Sequence, residues 1–143
     1  MDYTWLIFAI LSAITAALVA VFGKIGLESV DANTATMIRA GIMFAFLVLV
    51  IAFTGKIEHF TTIFSNSRAL FYISLSGIAG ALSWLFYFLA LKLGKVSQVV
   101  PIDRLSIVFA LILAVLIVGE KISLKIGIGA ALMVIGAIIV ALG

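Results

Sequence analysis

Five apolar runs, each close to the roughly 20 residues that a helix needs to cross a bilayer core, take up most of this chain. They cover 4–22, 34–53, 70–91, 97–118 and 124–142. Soluble domains carry about 25% charged residues. Here charged residues are 10% of 143 and hydrophobic residues 66%, with a mean hydropathy of +1.42. No arrangement of such a composition gives a surface that water can wet. The runs are continuous rather than alternating, which argues against a β-barrel. Open strands in lipid would leave backbone groups unpaired. An all-α integral membrane protein with five transmembrane helices, one domain over 1–143, is expected.

The links between runs are short. Asn33 or Thr34 is expected to cap the second helix and Ser123 the fifth. Only the link over 54–69 can hold a surface segment. Phe60, Ile63 and Phe64 recur there at helical spacing and predict a short interfacial helix. Tyr3 and Trp5 stand where interfacial anchors do. Asp2 is the only early charge, and no small-x-small cleavage pattern precedes Lys24. The first run therefore reads as a retained helix rather than a signal peptide.

The basic residues are nearly balanced between the two sides. Lys56, Arg68, Lys121 and Lys125 make four on the side of the N-terminus, against three (Lys24, Lys92 and Lys95) on the other. Arg39 and Arg104 enter from that second side and raise its count to five. A bias this weak does not fix orientation by the positive-inside rule. It is what a dual-topology subunit needs, and also what short loops give by themselves.

Three charges stand inside the runs: Arg39, Asp103 and Arg104. Each costs roughly 2.5–3.5 kcal/mol on insertion scales, so such residues face protein or water and mark substrate or ion paths. Asp103 and Arg104 are adjacent and point about 100° apart on a helix, so each needs its own partner. Arg39 is the first expected partner of Asp103 and Lys24 the second. The pair serves either as a structural tie or as a substrate or proton site. A nearby arginine lowers a carboxyl pKa, which argues against proton carriage by Asp103. Pro101 lies about one turn into the fourth helix and predicts a kink or irregular start there. Glu120 is placed to cap the fifth helix, where the dipole favours an anion.

The third run carries Ser76, Gly80, Ser83 and Tyr87 near one face, with Ser74 and Gly77 beside them. This is either a packing seam or a cavity wall lined by Trp84 and Tyr87, Trp84 being too central for an interfacial anchor. The first run has a small and polar stripe at Ser12, Thr15, Ala16, Val19 and Gly23. The fifth has Gly127-x-x-x-Ala131 and a second seam through Gly129, Met133 and Gly136. These are close-packing patterns within or between chains.

Other chemistries find no support. Cysteine is absent, and His59, the one histidine, reads as a solvated loop residue beside Glu58 rather than a metal ligand. No nucleophile–base set and no zinc-protease or serine-elbow motif occurs. There is no aspartate pair of the kind an intramembrane protease uses. The chain reads as neither an enzyme nor a cofactor protein. It lacks the basic stripe that nucleic acid requires.

The order Pro101-Ile102-Asp103-Arg104-Leu105-Ser106, then Gly119-Glu120-Lys121, then Gly127, Gly129 and Gly136 resembles the EamA-type domain of the drug/metabolite transporter superfamily. Lys24-Ile25-Gly26-Leu27, the stretch from Asn33 to Arg39, and Ser83-Trp84-Leu85-Phe86-Tyr87 resemble its small single-domain members. The likeness covers nearly the whole chain. It implies a five-helix unit. In larger members two units form inverted repeats with the substrate cavity between them, a common transporter plan. This chain has one copy and lacks the Trp-Gly pair that many members carry in the first helix. Members carry amino acids, nucleotide-linked sugars and drugs.

The expectation is therefore a transporter subunit exporting a small metabolite or drug across a prokaryotic inner membrane. Two copies restore the ten-helix plan as a homodimer, with antiparallel pairing favoured. Arg39, Asp103, Arg104, Trp84, Tyr87 and Ser83 are the candidate substrate residues, the arginines as anion partners and the aromatics as lining. Pro101, Glu120 and Lys24 are structural. The alternative is a membrane-embedded assembly subunit that does not transport and uses the same charges and seams for packing.

Overall fold

A computed structural model describes residues 3–143, except the side chains of 59–61. Asp2 and the side chains of His59 and Phe60 therefore lie outside the described residues. Among the described residues, seven α-helices and one π stretch follow in order: α1 (Thr4–Gly26), α2 (Ala32–Phe53), α3 (Glu58–Ser65), α4 (Ser67–Leu93), α5 (Val96–Asp103), α6 (Ser106–Leu113), the π stretch (Ala114–Val118) and α7 (Leu124–Leu142). Five spans are long and apolar enough to cross a membrane, with α5, α6 and the π stretch together making one of them, Val96–Val118. The fold is all-α, with no strand among the described residues. Most large apolar side chains are exposed, as lipid-facing groups must be.

The helix ends follow from local chemistry. Asp31, not Asn33 or Thr34, caps α2. Its carboxylate accepts from the Thr34 backbone N–H at 2.8 Å and from the Thr34 hydroxyl at 3.0 Å. Those two bonds hold the exposed Asp31 carboxyl below its ordinary pKa, the backbone bond having the larger effect. Asn66 starts α4 three residues earlier than the apolar run begins, its side-chain oxygen accepting from the Ala69 N–H at 3.0 Å. Ser123 caps α7, accepting from the Ile126 N–H at 3.4 Å. The short α3 carries exposed Ile63 and Phe64. The backbone at His59 belongs to this helix, which corrects the expectation of a loop there.

The chain divides into two compact units. One is Ile25–Lys92; the other joins Met1–Lys24 with Leu93–Gly143. In the Ile25–Lys92 unit, four of the five buried apolar residues found among the described ones gather: Leu27, Ala32, Phe88 and Leu91. Thr36 is buried with them, its hydroxyl donating to the Ala32 carbonyl at 2.7 Å, so no polar atom is stranded. The Lys92 ammonium donates to the Val30 carbonyl and ties the end of α4 to the α1–α2 link. In the other unit, α7 packs beside α5 and α6. The Lys24 ammonium donates to the Gly94 carbonyl at 2.8 Å, joining the end of α1 to the link before α5.

Candidate functional site

In the Ile25–Lys92 unit, Ala32, Thr36 and Arg39 lie at i, i+4 and i+7 and share one stripe of α2. Trp84, Phe88 and Leu91 repeat that spacing on α4. The Arg39 guanidinium reaches across to that second stripe. Its central carbon stands 3.5 Å from the Trp84 ring centroid and 5.3 Å from that of Phe88. Tyr87 is edge-on to Trp84 at 5.6 Å and to Phe88 at 6.2 Å, closing a three-ring cluster. Phe88 is buried, while Arg39, Trp84 and Tyr87 are half-buried. Small residues at 32 and 36 and large ones at 88 and 91 leave α2 free of bulk up to the level of Arg39.

The magnitudes explain the placement. A lone arginine in hydrocarbon costs roughly 2.5–3.5 kcal/mol. A cation over an aromatic face regains roughly 0.5–2 kcal/mol, most where water is excluded. Two ring faces together are therefore of the same order as the cost. Within the Ile25–Lys92 unit, Arg39 is held by the rings of Trp84 and Phe88. Lys24, the second expected partner of Asp103, donates to the Gly94 carbonyl. Ser83 is exposed and is not part of the ring stripe. A Cβ added at Gly77 or Gly80 would meet no atom within 4 Å, so the small-residue face of α4 is not packed within its own unit.

In the other unit, Pro101, Asp103 and Arg104 surround a broken helix. Proline has no N–H to give the carbonyl of residue 97. The visible interruption comes one turn later. The Arg104 N–H divides between the Val100 and Pro101 carbonyls at 3.3 and 3.2 Å. Leu105, Ile107 and Val108 then bond three residues back, to Ile102, Arg104 and Leu105 at 3.0–3.1 Å. These tightened bonds make a turn of 3₁₀ type between α5 and α6. The expected irregularity is present, displaced to Arg104–Leu105. Asp103 is half-buried and Arg104 exposed at this turn.

The far end of the same span widens. The π stretch ends at Gly119, whose φ of +77° is the left-handed conformation that glycine adopts without strain. The Glu120 N–H closes that end on the Ala114 carbonyl at 3.1 Å. Glu120 thus acts through its backbone on the helix before it, and the side-chain cap of α7 belongs to Ser123. An apolar groove of about 640 Å³ runs along this wall, with Val108, Leu111, Val115, Gly127, Ala131 and Val134 among its lining. No group of three or more metal-ligating side chains occurs among the described residues.

Five membrane-length helices thus carry a ring-held cation in one unit and a charged, broken helix in the other. The EamA-like transporter family matches residues 3–142. This chain belongs to that family. An uncharacterized transporter from the cobO 3′ region of a Sinorhizobium species is 40% identical over 141 residues, covering 99% of both chains. No solved structure matches it. As an EamA-like protein the chain is a multi-pass membrane transporter, and its lipid-exposed surface accords with that.

Sequence reasoning about this EamA-like chain missed Phe88 and Leu91. Their signal was available, since both follow Trp84 at helical spacing. What spacing could not supply was which helix stands opposite. The π stretch gave no signal either, because Ala-Val-Leu-Ile-Val reads as ordinary apolar helix.

Proposed function

We propose that the chain is a single EamA-like domain exporting a small metabolite or drug, and that it works as a homodimer. The observation that carries the transport site is Arg39 stationed on Trp84 and Phe88 inside a membrane-spanning pair of helices. A purely structural arginine would gain more from a carboxylate or from the interface. Tyr87 extends this surface along α4, and Ser83, next to Trp84 in sequence but off the ring stripe, is the further candidate on that helix. Asp103 and Arg104 form the second candidate locus, where Pro101 and the tightened turn expose backbone that tolerates only protein or water. The outward direction rests on likeness to drug-carrying members of the superfamily.

Pairing is supported by α7. A Cβ added at Gly127, Gly129 or Gly136 would meet no atom within 4 Å, so these seams are not spent on packing within their own unit. Small residues on an open helix face let a second helix approach closely. The near balance of basic residues favours antiparallel copies, and a prokaryotic inner membrane is the proposed location. Flux into inside-out against right-side-out vesicles reads the direction. Cysteines at Ser83 and Ser106 should label from water if they line a path. Sealing of both would favour a packing subunit that does not transport. Labelling of both termini from one side only would rule out antiparallel pairing.

A further inference from the structure

We infer that the Arg39–Trp84–Phe88 cluster receives the carboxylate of an organic monoanion with an apolar body. The inference rests on the proposed transport site and names its substrate class. At 3.5 Å from the ring centroid the central guanidinium carbon is already in van der Waals contact. A nitrogen lies roughly 1.3 Å from such a carbon. Turning the group edge-on would therefore drive a nitrogen into the ring, so the guanidinium lies flat on Trp84. Its five N–H donors then radiate in the plane, away from the ring face. Among the described residues of the Ile25–Lys92 unit, no oxygen accepts from them. The ring has fixed the fork and left its donors open. That geometry matches a carboxylate, which takes two parallel N–H bonds.

Charge and depth narrow the class. One guanidinium neutralises one carboxylate, and the neutral pair crosses hydrocarbon at the least cost. A phosphate dianion would arrive with charge left over. An organic cation would have to displace a tethered guanidinium from the rings it already covers. Arg39 lies seven residues inside α2, about 10 Å from its end, and Trp84 nine residues from the end of α4, about 14 Å. Arginines near a helix end extend their heads to the interface. This one is held on Trp84 instead of being extended toward the helix end, so a solute of its own is the fitting occupant. Trp84, Tyr87 and Phe88 supply the apolar wall for its body.

Trp5 and Trp84 are the two tryptophans, so Trp5→Phe leaves Trp84 as the only one reporting. In lipid-free detergent, cyclohexanecarboxylate should change Trp84 emission saturably, while tetramethylammonium and inorganic phosphate should not. Arg39→Gln should weaken the carboxylate at least about tenfold, and Arg39→Lys, which keeps the charge without the fork, by about threefold to tenfold. If Arg39→Gln does not fold by circular dichroism, the lysine variant carries the test. Unchanged carboxylate titration in a folded variant overturns the inference. So does a response to tetramethylammonium instead, or one seen only with phosphatidylglycerol, which would make the site a lipid contact. Carboxylate binding without flux in vesicles would retain the inference and sink the transport reading. Flux of a cation without carboxylate binding would do the reverse.

Discussion

Arg39 and the Asp103–Arg104 pair face the same physical problem, a charge within a membrane span, and meet it in opposite ways. On α2 the helix is uninterrupted and the side chain is accommodated: rings on α4 take the guanidinium. Between α5 and α6 the side chains adjoin a backbone that breaks, with Pro101 removing one donor and the next turn tightening to three-residue bonds. One region stabilises a charge with fixed aromatic surface. The other sets charge beside irregular backbone. Rigidity is therefore expected at the first region and compliance at the second.

The largest test of that contrast is the double-mutant cycle of Arg39→Gln and Trp84→Leu, read by thermal melting in detergent. A coupling of about 2 kcal/mol is expected, the upper range for a desolvated cation over a ring. Additive effects would make the stacking incidental and erase the contrast. Next comes Pro101→Ala. It restores a donor inside a helix, so melting should rise, by about 1 kcal/mol and below the full interior cost of proline, because the turn at Arg104–Leu105 remains. If Pro101→Ala destabilises, the break is built in and not merely tolerated. A smaller effect is expected from Lys92→Met, which removes the tie to the Val30 carbonyl. A loss of about 0.5–1 kcal/mol should appear as faster amide exchange at the start of α2. Smallest is the pH response of that same end. Asp31 has a depressed carboxyl pKa, so its capping contribution is full above the ordinary value of 3.8 and fades as pH falls through the lowered one. Asp31→Asn should keep the cap and abolish the acid dependence.

Much of the architecture was legible because lipid makes hydrophobic length an almost sufficient signal. The five spans match the apolar runs to within a few residues, the largest differences being the ends of α1 and α4, extended by Lys24 and by Asn66. The Ser123 cap and the short helix α3 were readable from capping chemistry and helical spacing. Asp31 was not singled out because Asp31, Asn33 and Thr34 are all competent caps, and only the backbone geometry chooses among them. The charges were visible as costs, yet their partners were not. The expectation for Arg39 came from charge alone and did not include the ring faces that its own unit supplies. An arginine has two chemistries, an ionic edge and a polarisable face, and a sequence does not say which one its neighbours meet.

The π stretch before Gly119 also bears on how freely this chain can vary in length. A π turn holds one residue more than an α turn needs. Losing one residue between Leu113 and Val118 would return the segment to ordinary pitch while leaving the phase of α5 and α6 untouched. The left-handed glycine and the Glu120 N–H could then close on a carbonyl one position along. A deletion inside α2, by contrast, would rotate Arg39 about 100° relative to Ala32 and off its rings. Natural length differences among close homologues should therefore collect just ahead of the glycine and spare the helix that carries the arginine.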